Sequence, residues 1–307
     1  MKRFAWLVVG MLAVSLVAGC LETTQVVTLN PDGSGKVVFK TIAPSMNFMQ
    51  PKNEKADPDK AARDAMADLI KTSKGVDAWA DLVCKPTDDG KNETSGVAYF
   101  SDFSKLHLQP FSDNNGKWTV AGNAGTLEFR MDKKSAASKP EPKAMTDEEV
   151  AAAIKAARAQ YHLTRQMMAA FMGTLKVDMT YILPGTLGEV QGFTKTDKGG
   201  VQMVMEGKKV LEVMDKYMAD DKVLATALRA GRDLQKDGPG EEVVMEGMFG
   251  KKLTALTATC TDMKPQFDYA AEMGKAKAGQ ADLLKKLNID LTAKPAPTFN
   301  GPPGGAN

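Results

Sequence analysis

Histidine is nearly missing from this chain: there are 2 in 307 residues, His107 and His162, far apart in sequence. Neither has a second imidazole at ligand spacing, so a His-rich metal centre is not expected. Cysteine is also scarce, at 3. No Cys-x-x-Cys occurs, which argues against a zinc knuckle or a dithiol redox site. The glycine-rich strings that cradle phosphate, Gly-x-x-x-x-Gly-Lys-Ser/Thr and Gly-x-Gly-x-x-Gly, are absent, as is the Gly-x-Ser-x-Gly elbow of many serine hydrolases. Aromatic residues make up 7% and the formal net charge is +2. No basic stripe with interleaved aromatics appears, so nucleic acid is not an expected partner. No run beyond the N-terminus is apolar enough to cross a bilayer, because Lys155 and Arg229 interrupt or bound the best candidates. The expectation is a protein with no cofactor and no catalytic motif. A hydrolase using scattered carboxylates stays open, since any two of the 38 Asp and Glu could meet in a cleft.

What is present begins at the N-terminus. Lys2 and Arg3 form a basic start, Phe4 to Val17 an apolar run, and Ala18 and Gly19 lead into Cys20. The run is shorter than the roughly 20 apolar residues of a membrane span, and reads as a signal peptide over residues 1–19. The Val17-Ala18-Gly19-Cys20 ending resembles the lipobox of bacterial lipoproteins, in which the cysteine is acylated and becomes the new N-terminus. That resemblance implies a palmitate-type lipid on Cys20, anchoring in the membrane and export to the cell envelope. Leu21 stands where an aspartate would signal inner-membrane retention, which favours the outer membrane. Loss of Lys2 and Arg3 leaves mature side chains that sum to about zero charge. Cys84 and Cys260 would remain in an oxidising compartment. One Cys84–Cys260 disulfide is therefore an expectation, with two separate buried thiols as the alternative.

Along the chain, Thr24–Leu29 and Lys36–Lys40 flank the turn cluster Asn30-Pro31-Asp32-Gly33-Ser34-Gly35, a hairpin signature. Asn30, Asp32 and Ser34 match half of a calcium loop, but Thr41 replaces the bidentate Glu. A helix is expected from Asp57 to Gly75, then a β-meander to Met131 with Asn114-Asn115-Gly116 as its strongest turn. Residues 132–145 have little to bury and read as a linker. Thr146-Asp147-Glu148-Glu149 is a capping box opening a long helix over 146–173. Leu175, Val177, Met179, Tyr181 and Leu183 alternate as a strand to Pro184-Gly185. A hairpin around Lys198-Gly199-Gly200, helices over Lys209–Met218 and Asp221–Leu234, a hairpin of Val243–Met248 with Leu253–Thr259, and a helical Pro265–Leu287 complete the body. Residues 293–307 are rich in proline and glycine, and read as a disordered tail.

This order specifies an α+β protein: an antiparallel β-sheet with helices packed on one face, the long 146–173 helix among them. Residues 20–131 and 146–292 form two lobes, or share one sheet if the first hairpin pairs with later strands. Methionine, at 19, is abundant. Met167, Met168, Met172, Met203 and Met205 fall on apolar faces and read as core filler, with a thioether copper site as the sharper alternative. The lipobox at Cys20, the Val26–Phe39 hairpin with its Asp32-Gly33-Ser34-Gly35 turn, and the Leu183-Pro184-Gly185 strand end together resemble a loose group of bacterial outer-envelope lipoproteins of unknown function, including those with an LppM-type domain. The chain departs from that pattern by lacking a C-terminal transmembrane helix. The resemblance supplies no catalytic residues. It implies a lipid-anchored, non-enzymatic binding or assembly module with an envelope protein or lipid partner; a periplasmic hydrolase and a lipid or hydrophobe carrier are the alternatives.

Overall fold

A computed structural model describes residues 21–44, 58–108, 116–130, 144–234, 239, 241–250 and 253–289. The expected signal peptide (residues 1–19), Cys20, Asn114 and Asn115, most of the 132–145 segment and residues 293–307 lie outside the described residues. Within them are eleven strands and six α-helices.

The first hairpin sets the architecture. Strand β1 (Glu22–Leu29) pairs antiparallel with β2 (Gly35–Pro44), and Thr23, Gln25, Val27 and Leu29 alternate onto the buried face. The turn is closed by its own side chains: Asp32 Oδ1 accepts from Ser34 N at 3.0 Å and from Ser34 Oγ at 2.7 Å. Asn30 Oδ1 accepts from Gln266 N at 2.9 Å, so the half calcium loop spends its oxygens on the protein. Gly35 is required by close approach, since a Cβ there would stand 2.3 Å from the Thr28 carbonyl oxygen.

β1 then pairs parallel with β7 (Lys176–Ile182), far along the chain. With β3 (Ala78–Pro86), β4 (Lys91–Phe100), β9 (Thr194–Lys195) and β10 (Val201–Glu206), these make a seven-stranded sheet in the order β3-β4-β2-β1-β7-β10-β9. A four-stranded sheet runs β5 (Gly116–Ala121), β6 (Ala124–Phe129), β11 (Leu256–Thr261) and β8 (Thr186–Gln191), antiparallel throughout. Strands from both sides of residues 132–145 share each sheet. This is the arrangement in which the first hairpin pairs with later strands.

The main core draws on both sheets. Val27, Leu29, Val37 and Phe100 of the larger sheet join Leu127, Leu256, Ala258 and Cys260 of the smaller one. Phe100, Phe103, Tyr181 and Phe193 form an aromatic chain with centroids 5.9, 6.1 and 5.8 Å apart, within the range of favourable edge contacts.

The chain is of the α+β class, with antiparallel-dominated sheets, but the helices occupy more than one face. α1 (Pro58–Thr72) packs Ile70, Met66 and Leu69 into the main core. The long helix α2 (Asp147–Met172) carries the capping box: Glu149 N donates to Thr146 Oγ1 at 3.2 Å, and Thr146 N donates to Glu149 Oε2 at 2.8 Å. Its buried residues Val150, Ile154, Ala157 and Tyr161 meet α3 (Gly207–Ala219) and α4 (Asp221–Arg229) in a second core that contains no strand residue. α4 stops at Arg229, and Gly231 takes φ +80°, which ends the expected Asp221–Leu234 helix early.

Val243–Met248 is not a strand. It lies in α5 (Glu241–Phe249), with Met245 fully buried. The β-branched pair Val243-Val244 suggested a strand, but packing decides here. A Cβ on Gly247 would lie 2.2 Å from Val213 Cγ2, so α5 sits closely on α3. β11 finds its partners in β6 and β8, not in the neighbouring segment. α6 (Tyr269–Lys286) is continuous through Gly274 and Gly279.

Candidate functional site

The site begins with a break in strand alternation. β3 is an edge strand, and its pairing with β4 slips between Ala80 and Val83. Asp81 and Leu82 together face Gly96, and Asp81 adopts φ +51°, an uncommon conformation for a residue with a side chain. Gly96 on β4 lets the bulge settle, because a Cβ there would be 3.2 Å from Leu82 Cα and Cδ1.

α6 packs over this strand on the face opposite the main core. Ala276 and Met273 meet Ala78 and Tyr99 in a small third cluster. Gln280 Oε1 accepts from the Trp79 backbone N–H at 2.9 Å, so a side chain satisfies an amide of the sheet edge. Between the bulge and α6 runs an open groove of about 570 Å³, lined by Trp79, Asp81, Leu82, Tyr99, Glu272, Lys275 and Gly279 among others. No side chain fills the space over Gly279.

Glu272 organises the polar wall. It accepts from Lys36 Nζ at 2.7 Å and from Tyr99 Oη at 3.1 Å, both on Oε2. Lys36 also stands 4.3 Å over the Phe267 ring. Burial, followed by the bond to Glu272 and the charges of Glu272 and Asp81, pushes the Tyr99 phenol up to about 12. Tyr99 is therefore a fixed donor at neutral pH and no base. Tyr269 donates to Asp77 Oδ2 at 2.7 Å, and burial together with that carboxylate raises its phenol as well. Asp81 and Lys275 are exposed and offer opposite charges to whatever enters. The arrangement can hold a polar or zwitterionic partner through one exposed charge of each sign, Asp81 and Lys275.

A second open groove, of about 440 Å³, lies between α2 and α4. Its two arginines are committed: Arg158 pairs with Asp221 at 2.7 Å and donates to the Met218 carbonyl at 2.6 Å, while Arg229 reaches Asp147 at 2.5 Å. Nearby, Arg165 grips Asp215 with two bonds of 2.8 and 2.7 Å, and Tyr161 Oη donates to the same carboxylate at 2.7 Å. The Arg165 guanidinium holds the Asp215 carboxyl below its ordinary range.

The residues singled out from sequence are scattered. Cys84 and Cys260 are both free, Cys84 half-buried on β3 of the larger sheet and Cys260 fully buried on β11 of the smaller one. The expected Cys84–Cys260 bridge is not formed: Cys84 sits on the edge strand of the larger sheet and Cys260 on an inner strand of the smaller one. Thr94 Oγ1 donates to Cys84 Sγ at 3.4 Å, and burial pushes the Cys260 thiol up. His107 lies in an isolated bridge to Lys74, and His162 is exposed on α2 beside Tyr161. Met203 is in the main core and Met168 against the second, as filler; Met167 is 41% exposed. Among the described residues, no group of three or more His, Cys, Asp or Glu is placed to hold a metal. Sequence reasoning missed the groove. Its one signal was Asp81 interrupting Ala78-Trp79-Ala80 and Leu82-Val83, a charge where alternation calls for a paired strand residue.

No family model matches this chain, and no curated protein does. Its class is therefore given by architecture: a mixed α/β protein of two antiparallel-dominated sheets around a shared core. Among solved structures it is similar to the NMR structure of the folded domain of Mycobacterium tuberculosis LppM, at 13% identity over 81% of this chain and 94% of that one. The TM-score is 0.29. This is a loose likeness.

Proposed function

We propose that this is a lipid-anchored lipoprotein of the bacterial envelope, held in the outer membrane through Cys20, which acts as a non-enzymatic binding or assembly module. The observation that carries this reading is the sequence Val17-Ala18-Gly19-Cys20 behind a basic start and an apolar run. The groove beside α6 is the module's recognition site. Asp81 and Lys275 supply exposed charge there, and Tyr99, whose proton is given to Glu272, supplies a phenol oxygen that does not titrate near neutrality. The carrier alternative needs an enclosed apolar cavity, whereas both grooves described above open to solvent and carry charged walls.

The anchor is tested by the mass of the N-terminal peptide from native envelopes. An acylated Cys20 is expected, and Cys20→Ser should leave precursor or soluble protein. An unmodified Cys20 at the N-terminus of the mature protein overturns the reading. The groove is tested by affinity capture with mass spectrometry of proteins and lipids. Gly279→Leu projects a side chain into the groove from an exposed helix position, and should remove whatever wild type specifically retains.

A further inference from the structure

The fold starts where the anchor would end. Leu21 is already tied down: its carbonyl accepts from Lys176 N at 2.9 Å. Glu22, the next residue, opens β1 in the interior of the larger sheet, opposite Ile42 on β2 and Lys176 on β7. No tether separates Cys20 from this strand. Consecutive Cα atoms are about 3.8 Å apart, so a sulfur on Cys20 lies within roughly 7 Å of Leu21. The headgroup layer of each leaflet is of similar depth, about 5–8 Å.

We propose that the body sits directly on the bilayer, with one end of the larger sheet against the lipid headgroups and the Asn30–Gly35 turn pointing away. This rests on the Cys20 lipid of the reading above. The near end is the row Ile42, Glu22, Lys176 and Glu206, which the strand register places side by side. Gly207 N donates to the Leu175 carbonyl at 2.9 Å, which brings the start of α3 to the same end. Lys176, Lys208 and Lys209 are exposed on the β7–α3 side of that end, with Glu22 beside them, while the β3–β4 turn at its other side exposes Asp88 and Asp89. Ammonium groups at that level suit anionic phospholipid headgroups. β1 then carries the opposite end away by about 25 Å over its eight residues, at the usual strand rise. A body held by so short a link cannot tumble freely, so the anchor fixes which end faces outward.

The test uses the full lipidated chain in vesicles of phosphatidylethanolamine and phosphatidylglycerol that contain a lipid with a nitroxide headgroup. In a Cys84→Ser background, a fluorophore is placed at Lys208→Cys or at Ser101→Cys. Ser101 is exposed and follows Phe100, which pairs with Gly35 at the far end. Quenching at position 208 should exceed that at 101 by threefold or more. A smaller ratio, with the N-terminal peptide shown by mass to carry lipid, overturns the orientation and leaves the anchor standing. A lipid-free N-terminal peptide overturns both.

Discussion

Tyr99, Tyr161, Tyr181 and Tyr269 all hold their protons more tightly than a free phenol, and burial is the leading cause for each. A phenol raised on folding contributes stability that is fully present below its unfolded value near 10 and lost as pH climbs through the folded value. For Tyr99 that window runs from about 10 to about 12. The melting temperature should therefore fall steeply above pH 10, and Tyr99→Phe should fall less steeply there. Equal slopes for the two proteins would show that Tyr99 ionises freely in the fold. Asp215 has the opposite sign: its carboxyl is lowered, so its contribution is present at neutral pH and lost as acid protonates it. Among apolar residues, Leu256 is 0% exposed at the junction of the two sheets. Leu256→Ala should destabilise by about 2–5 kcal/mol in urea denaturation, since the cavity left behind adds to the lost transfer energy.

At the scale of elements, α2 shows what local sequence can do without help. Thr146 and Glu149 close its first turn reciprocally, and Asp147, Glu148 and Glu149 favour the positive end of the helix dipole. Thr146→Ala should cost about 0.5–2 kcal/mol. The loss should appear first as faster hydrogen exchange at the amides of Glu149 and Val150, with the strands unaffected. α6 depends instead on its neighbours. Gln280→Ala would leave the Trp79 amide without its partner, and should raise exchange at that one edge position. The helix at Glu241–Phe249 marks the limit of local reading: Val243 and Val244 favour a strand, yet burial of Met245 and the close approach of Gly247 to Val213 outweigh that preference.

At the scale of the whole molecule, sharing both sheets between distant segments predicts that the two sheets unfold together. β1 pairs with β7 and β6 with β11, so neither half of the chain keeps a complete sheet alone. The free thiols offer a simple readout. In the Cys20→Ser protein, whose only thiols are Cys84 and Cys260, Cys260 should resist thiol reagents until the fold opens, while half-buried Cys84 reacts in the native state. Denaturation should then expose Cys260 in one step that coincides with the loss of far-ultraviolet dichroism. Two unreactive thiols after denaturation, recovered by reductant, would instead reveal a bridge.

The sequence alone determined what is local. Asn30–Gly35 makes its turn because Asp32 and Ser34 bond within it, α2 begins at Asp147 because Thr146 caps it, and β7 alternates because its own residues do. The address proposed at Cys20 likewise rests on adjacent residues alone. Tertiary structure decided everything that joins residues far apart in the chain. No periodicity reveals that β1 lies parallel to β7, that Cys84 and Cys260 sit on separate sheets, or that Lys36 and Tyr99 converge on Glu272. Those contacts are selected by burying apolar area between sheets and helices, a sum over the whole chain that no short segment carries. Asp81 stands at the boundary: its charge breaks the strand pattern in the sequence, but only packing against α6 turns that break into a groove.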